Sequence, residues 1–136
     1  MDPQLAPDIQ VAGSSKDDPY GNQINIAYIN CYGQSKLPIA IQSYVCTNKL
    51  DIIHLQECKI DEDTFAQCGF LTGNFNIYSN NKPDGSFYGT ASLVRSDLSV
   101  TNIHMDNDGR VIIFDAAECT WGNFYLPSGI SRDAKA

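Results

Sequence analysis

The chain is 136 residues long, 43% hydrophobic and 10% aromatic, the size and texture of one folded domain and not of a disordered tail. Its formal charge of −7 argues against a broad basic face gripping nucleic acid by itself, although a divalent cation can neutralise carboxylate and phosphate locally. No apolar run approaches the roughly 18–20 residues of a membrane span, and residues 1–18 lack the basic and apolar regions of a secretory signal, so a nuclear or cytoplasmic protein that is not secreted is expected. The five cysteines, Cys31, Cys46, Cys58, Cys68 and Cys119, are scattered and include no C-x-x-C pair. That spacing fits neither a disulfide framework nor a zinc site, and predicts reduced thiols.

Residues 1–22 are rich in Pro, Asp, Ser and Gly and read as a flexible leader. Residues 24–31 are β-branched and aromatic with apolar side chains at both parities, the mark of a strand covered on both faces. Leu37, Ile39, Ala40, Ile41, Tyr44 and Val45 recur at helical spacing over residues 35–48, and Pro38 is tolerated in the first turn. Residues 51–56 are again strand-like, so strand, helix and strand make a right-handed crossover unit. Residues 61–68 read as a short helix capped by Asp61. Beyond them the pattern turns to strands over 75–79, 88–95, 98–104, 110–116 and 119–126. Asn107-Asp108-Gly109 marks a tight turn between two of these. One crossover helix followed by a meander of strands gives an α/β (α+β) fold.

The chemistry is densest in Asp51-Ile-Ile-His-Leu-Gln-Glu57. An apolar strand that ends in Gln-Glu sets a carboxylate at the C-terminal edge of a sheet, where clefts form. A carboxylate on a rigid strand end suits Mg²⁺, which takes few protein oxygens and keeps water. Alone, such a glutamate is more often an ordinary solvated surface residue. His54, inside the apolar strand, reads as a core or interface histidine and not as a catalytic base, and His104 carries no special signal.

Combined with other segments the pattern becomes specific. Ile26-Ala27-Tyr28-Ile29-Asn30-Cys31-Tyr32-Gly33 resembles the opening strand of the endonuclease/exonuclease/phosphatase superfamily, and residues 51–59 resemble its second strand with a Leu-Gln-Glu metal site. Residues 88–95, 109–113 and 123–128 look like the strands that follow in that superfamily. Within it, Tyr88-Gly89-Thr90-Ala91 and Tyr125-Leu126-Pro127-Ser128-Gly129 are most similar to the apurinic-type endonuclease domains of non-LTR (LINE-type) retrotransposons. Those domains nick DNA so that reverse transcription can start from the freed 3′ hydroxyl.

The resemblance implies Mg²⁺ (or Mn²⁺) as cofactor, DNA as the partner of the intact protein, and a set of roles. Glu57 would ligate the metal. Asn30 would lie beside metal and phosphate, the bland alternative being a strand-end turn contact. Tyr125 would donate its hydroxyl to the scissile phosphate, or else be a half-buried strand aromatic. Ser128 stands where the family often has Asn and would bind substrate, Arg110 would reach a phosphate unless it is structural, and Gln56 would support the site.

Two departures from the family pattern matter. Tyr32 stands where an acid or amide is usual, and the later Gly-Asp-x-Asn and Ser-Asp-His motifs do not occur in the sequence. Those motifs are expected to align the attacking water and take its proton, so negligible hydrolysis is expected of residues 1–136 alone. Residues 23–136 would then be the N-terminal half of a four-layer DNase I-like α/β sandwich, contributing one sheet layer plus helices. Its uncovered Val, Ile and Phe face would cost on the order of 10 kcal/mol at about 25 cal/mol per Å² and invite self-association. The rival readings are a phosphatase of the same superfamily and a non-catalytic fold remnant or interaction module.

Overall fold

A computed structural model describes residues 8–12, 23–32, 37–60, 63–66, 68–86 and 88–126, with residues 8–12 and 37 described by their backbone. The strands are β1 (Asp8–Ala12), β2 (Ile26–Asn30), β3 (Ile52–Cys58), β4 (Phe75–Asn80), β5 (Gly89–Arg95), β6 (Thr101–Met105), β7 (Val111–Ala116) and β8 (Cys119–Phe124). Helix α1 (Leu37–Asn48) joins β2 to β3, and α2 (Gly69–Asn74) precedes β4. The first sheet has the order β1-β2-β3-β5-β4 and the second β6-β7-β8. β2 and β3 are parallel across the α1 crossover and the other pairs are antiparallel.

Alternation along the central strands sorts side chains onto two faces of the first sheet. Ala27, Ile29, Ile53, Leu55, Ala91 and Leu93 face one way, and form a core with Ile41 and Val45 of α1 and Leu71 of α2. On α1 the i, i+4 pair Ile41 and Val45 is buried, whereas Ile39 and Ala40, at the same apparent spacing, lie in solvent. The opposite face carries Ile26, Ile52 and Val94, packed against Ile112, Phe114 and Ala116 of β7. The core is therefore double, with one part under the helices and one between the sheets.

Three expectations are corrected. The segment 1–22 is not wholly a leader, because β1 adds an antiparallel edge to β2 from Asp8↔Asn30 to Ala12↔Ile26. Among the described residues of 61–68, where a helix was expected, none forms: residues 63–66 are a turn and the helix starts at Gly69. A Gly-Phe-Leu-Thr-Gly-Asn helix is poor by propensity, and it forms because Leu71 is fully buried. Finally, the chain supplies not one sheet layer but parts of two. The apolar face expected to stay wet is covered by Phe114 and Ile112, both fully buried. The mixed α/β class holds. Among the described residues no helix is long and apolar enough to cross a membrane.

Candidate metal and phosphate site

The space between the sheets changes character along the strands. Cross-strand partners share a face, so three successive rows can be read from the registers. Ile26, Ile52 and Val94 make an apolar floor, and Tyr28, His54, Ser92 and Tyr78 come next. Asn30, Gln56, Thr90 and Asn80 form a polar row at the rim. The rim is the C-terminal end of both parallel strands, with the Cys31 N–H donating to the Gln56 carbonyl at 2.9 Å.

At this rim β3 is bulged. Gln56 pairs with Thr90 and Cys58 with Gly89, so Glu57 is an extra residue, and its φ is +53°. A non-glycine residue in the left-handed region is strained, and bulges of this kind re-aim a side chain. Here the result is that Gln56 and Glu57, neighbours in sequence, both engage the second sheet. Gln56 Nε2 donates to Asn123 Oδ1 at 2.8 Å, and Tyr125 Oη donates to Glu57 Oε1 at 2.7 Å. Cys58 then falls on the helix side, buried in the other core. Gly89 makes room for the bulge, since a β-carbon there would stand 2.7 Å from the Cys58 carbonyl oxygen.

Tyr125 is buried, and its ring stacks on Tyr88 with centroids 6.4 Å apart and planes 7° from parallel. Burial first, then the hydrogen bond and charge of Glu57, push its hydroxyl well above the usual phenol range, while Arg110 opposes the shift. The hydroxyl is thus held as a neutral donor. The Tyr125 N–H donates to the Arg110 carbonyl at 2.8 Å, which sets Arg110 opposite Tyr125 where β7 and β8 begin to part at the rim. Asn30 Oδ1 accepts the Tyr32 N–H at 3.0 Å, so Asn30 does make the strand-end turn contact, while sitting in register with Gln56. Tyr32, at φ +51°, is exposed. Ser128 lies outside the described residues.

His54 is a core residue. Its ring stacks on Tyr28 at 4.8 Å, its Nδ1 is 2.8 Å from Ser92 Oγ, and burial lowers it to about 4. The structure therefore joins Asn30, Gln56, Glu57, Arg110 and Tyr125 at one rim and leaves both histidines out of it.

Polar side chains not anticipated from the sequence hold that rim together. Asn123, fully buried, donates to the carbonyls of Leu55 (3.2 Å) and Ala91 (2.9 Å), stapling β8 to β3 and β5. Asn80 donates to the Val111 carbonyl at 3.0 Å and to Asp106 Oδ1 at 2.9 Å. Burial would raise Asp106, but the N–H groups of Arg110 and Val111 and the Asn80 amide outweigh it and hold the carboxyl below its ordinary range. The alternation of β8, in which Asn123 shares its face with Trp121, is the signal that could have found Asn123.

Among the described residues no group of three His, Cys, Asp or Glu side chains gathers as a ligand set. Glu57 offers one carboxylate, with Oε1 engaged by Tyr125. In the polar row, cross-strand from Gln56, the wholly buried Thr90 hydroxyl lacks a hydrogen-bond partner among the described residues. One carboxylate, an amide and an orphaned hydroxyl fit a hydrated Mg²⁺ and its phosphate, since that ion takes one or two carboxylates and keeps water. They do not fit zinc, which takes several nitrogen or sulfur ligands.

No protein-family model and no curated protein matches the sequence. Solved structures do. The AP endonuclease LMAP from Leishmania major superposes with a TM-score of 0.60 at 15% identity, over 91% of this chain and 49% of that one. A truncated Caenorhabditis elegans TDP2 superposes with a TM-score of 0.53 at 21% identity, over 74% of this chain and 43% of that one. At these identities the likeness is one of fold, a partial DNase I-like α/β sandwich, and the chain spans less than half the length of either neighbour.

Proposed function

We propose that the chain carries the metal-binding half of a Mg²⁺- or Mn²⁺-dependent phosphodiesterase acting on DNA. The observation that carries this reading is Glu57, lifted by a bulge into a polar rim and hydrogen-bonded there by Tyr125. The fold shared with an AP endonuclease supports it. Glu57 would hold the cation, with Asn30 beside it in the neighbouring strand. When bound, the cation would neutralise phosphate charge and polarise a phosphoryl oxygen. Tyr125, kept protonated by burial and by Glu57, would turn its single hydroxyl proton from Glu57 Oε1 to a phosphate oxygen whose charge grows in the transition state. Arg110, beside the Tyr125 backbone, would add charge to the same phosphate, and Ser128 would extend the contact.

Hydrolysis also requires a group to take the proton of the attacking water. His54 cannot serve, being buried and bonded to Ser92, and no other histidine lies at the rim. In the resembled superfamily that group and the aligned water are expected from Gly-Asp-x-Asn and Ser-Asp-His motifs, which do not occur in residues 1–136, so on this reading residues 1–136 alone would bind metal without hydrolysing DNA. The finer reading, an endonuclease of the LINE retrotransposon type, rests on the sequence of residues 88–91 and 125–129. A non-catalytic interaction module is the second reading, favoured by Tyr32 standing exposed where an acid or amide is usual.

Calorimetric titration with Mg²⁺ and Mn²⁺ separates the two. The parent chain should bind both ions, Glu57→Ala neither, and a supercoiled plasmid should relax no faster with the chain than in buffer. Silence from the parent, or equal heats from parent and Glu57→Ala, would sink the metal site and leave the interaction module.

A further inference from the structure

The lysines and arginines of the described residues are Lys49, Lys59, Lys82, Arg95 and Arg110. They are not spread evenly. Arg95 is bound by Asp51 and Asp97 at the foot of β5, and Lys49 lies at the same end, after α1. The other three lie at the polar rim.

Their loops are stapled to one another. Asn81 clamps Ile60, accepting its N–H at 3.1 Å and donating to its carbonyl at 2.7 Å, which fixes Lys59 beside the 81–86 loop. Lys59 Nζ lies 3.7 Å from where a β-carbon on Gly85 would stand. Lys82 Nζ sits 5.6 Å from the centroid of the Tyr88 ring, which itself stacks on Tyr125. Gly109 presses on the backbone of residues 80–82, with a hypothetical β-carbon 2.7 Å from Lys82 N, and this brings Arg110 alongside. Among the described residues Lys59 and Arg110 form no ion pair, and Lys82 has the exposed Asp84 at 3.7 Å. Such a surface pair is weak and readily exchanged for a phosphate. Tyr88 is 47% exposed, a large aromatic surface left at the edge of the rim.

We propose that Lys59, Lys82 and Arg110, with Tyr88 between them, form a track for one strand of a nucleic acid, phosphates on the cations and an unpaired base or sugar against Tyr88. The track deepens the nuclease reading and names its substrate contacts. It rests on that reading only for the purpose it serves, because the cations and the ring recognise a strand whether or not a metal is held by Glu57. A chain that is acidic as a whole still offers a strand one cationic lane, since beyond a Debye length of about 8–10 Å its other charges are screened. Cations that track the backbone and an aromatic that takes a base are the two components of single-strand grooves.

The test is fluorescence anisotropy of a labelled 12-nucleotide DNA, single-stranded or as a duplex, with the 136-residue chain in EDTA, where neither metal binding nor hydrolysis contributes. Alanine at Lys59, Lys82 or Arg110 should weaken binding and make the slope of log K against log salt shallower by about 1 for each cation removed. Tyr88→Ala should lose about fivefold or more on the single strand and less on the duplex. Lys49→Ala, at the far end, should match the parent, and thermal melts should show that each variant is folded. Equal losses from Lys49→Ala and the rim variants would mean diffuse attraction and overturn the track, as would unaltered binding in all three cation variants. Because the DNA titration is run in EDTA and the metal titration without DNA, failure of the metal site and failure of the track are distinguishable.

Discussion

His54 shows how little a residue's chemical type says about its use. Histidine ordinarily titrates at about 6.5, and burial brings His54 down to about 4. In the unfolded chain it takes up its proton as pH falls through 6.5, whereas the folded protein resists until about 4. Its contribution is therefore intact above pH 6.5 and is lost between 6.5 and 4, to a total of about 3 kcal/mol. Urea midpoints should fall from pH 6.5 to 5, before most carboxylates titrate, and the slope should largely vanish in His54→Gln. The core placement of His54 was legible, because it sits amid Ile52, Ile53 and Leu55. Glu57 was legible as a strand-end acid. Its bond to Tyr125 was not, because an extra residue in one strand leaves no mark on composition or period and appears only when two strands are paired. Asn123 was missed for a different reason: asparagine is mostly an exposed residue, and only four groups arranged around its amide make complete burial tolerable.

At the scale of elements, the strongly periodic segments were readable. β3, β5 and β7 fall where the apolar residues fall, and the Asn107-Asp108-Gly109 turn precedes β7 as expected. That turn depends on Gly109, at φ +72° and against the Lys82 backbone. Gly109→Ala should destabilise the chain by about 1–3 kcal/mol in urea denaturation. It should also loosen the juncture of residues 80–82 with Arg110, weakening oligonucleotide binding in the same sample. Elements made by tertiary contact were not readable. β1 is five residues in a Pro- and Asp-rich stretch, recruited by the open edge of β2. α2 carries two glycines in six residues and is held by the burial of Leu71, which no local propensity encodes.

For the whole molecule, the decisive fact is that two sheets meet within this chain. Among the described residues Phe114 is the largest fully buried side chain, placed where Tyr78 and His54 meet β7. Phe114→Ala should cost about 3–5 kcal/mol, a large share of the 5–15 kcal/mol typical of a domain, and should appear as a lowered urea midpoint with both sheets lost together. The second sheet was not legible as a separate layer because alternation assigns residues to faces without saying which sheet a strand joins. The graded filling between the layers has one more consequence. Amides and hydroxyls near the mouth can trade each protein partner for a solvent molecule at modest cost, whereas the aliphatic hinge end has nothing to trade. Transient opening should therefore proceed like a book from the mouth inward, with the spine keeping its amide protons longest, so that the edge most accessible to a visiting strand is also the first to yield.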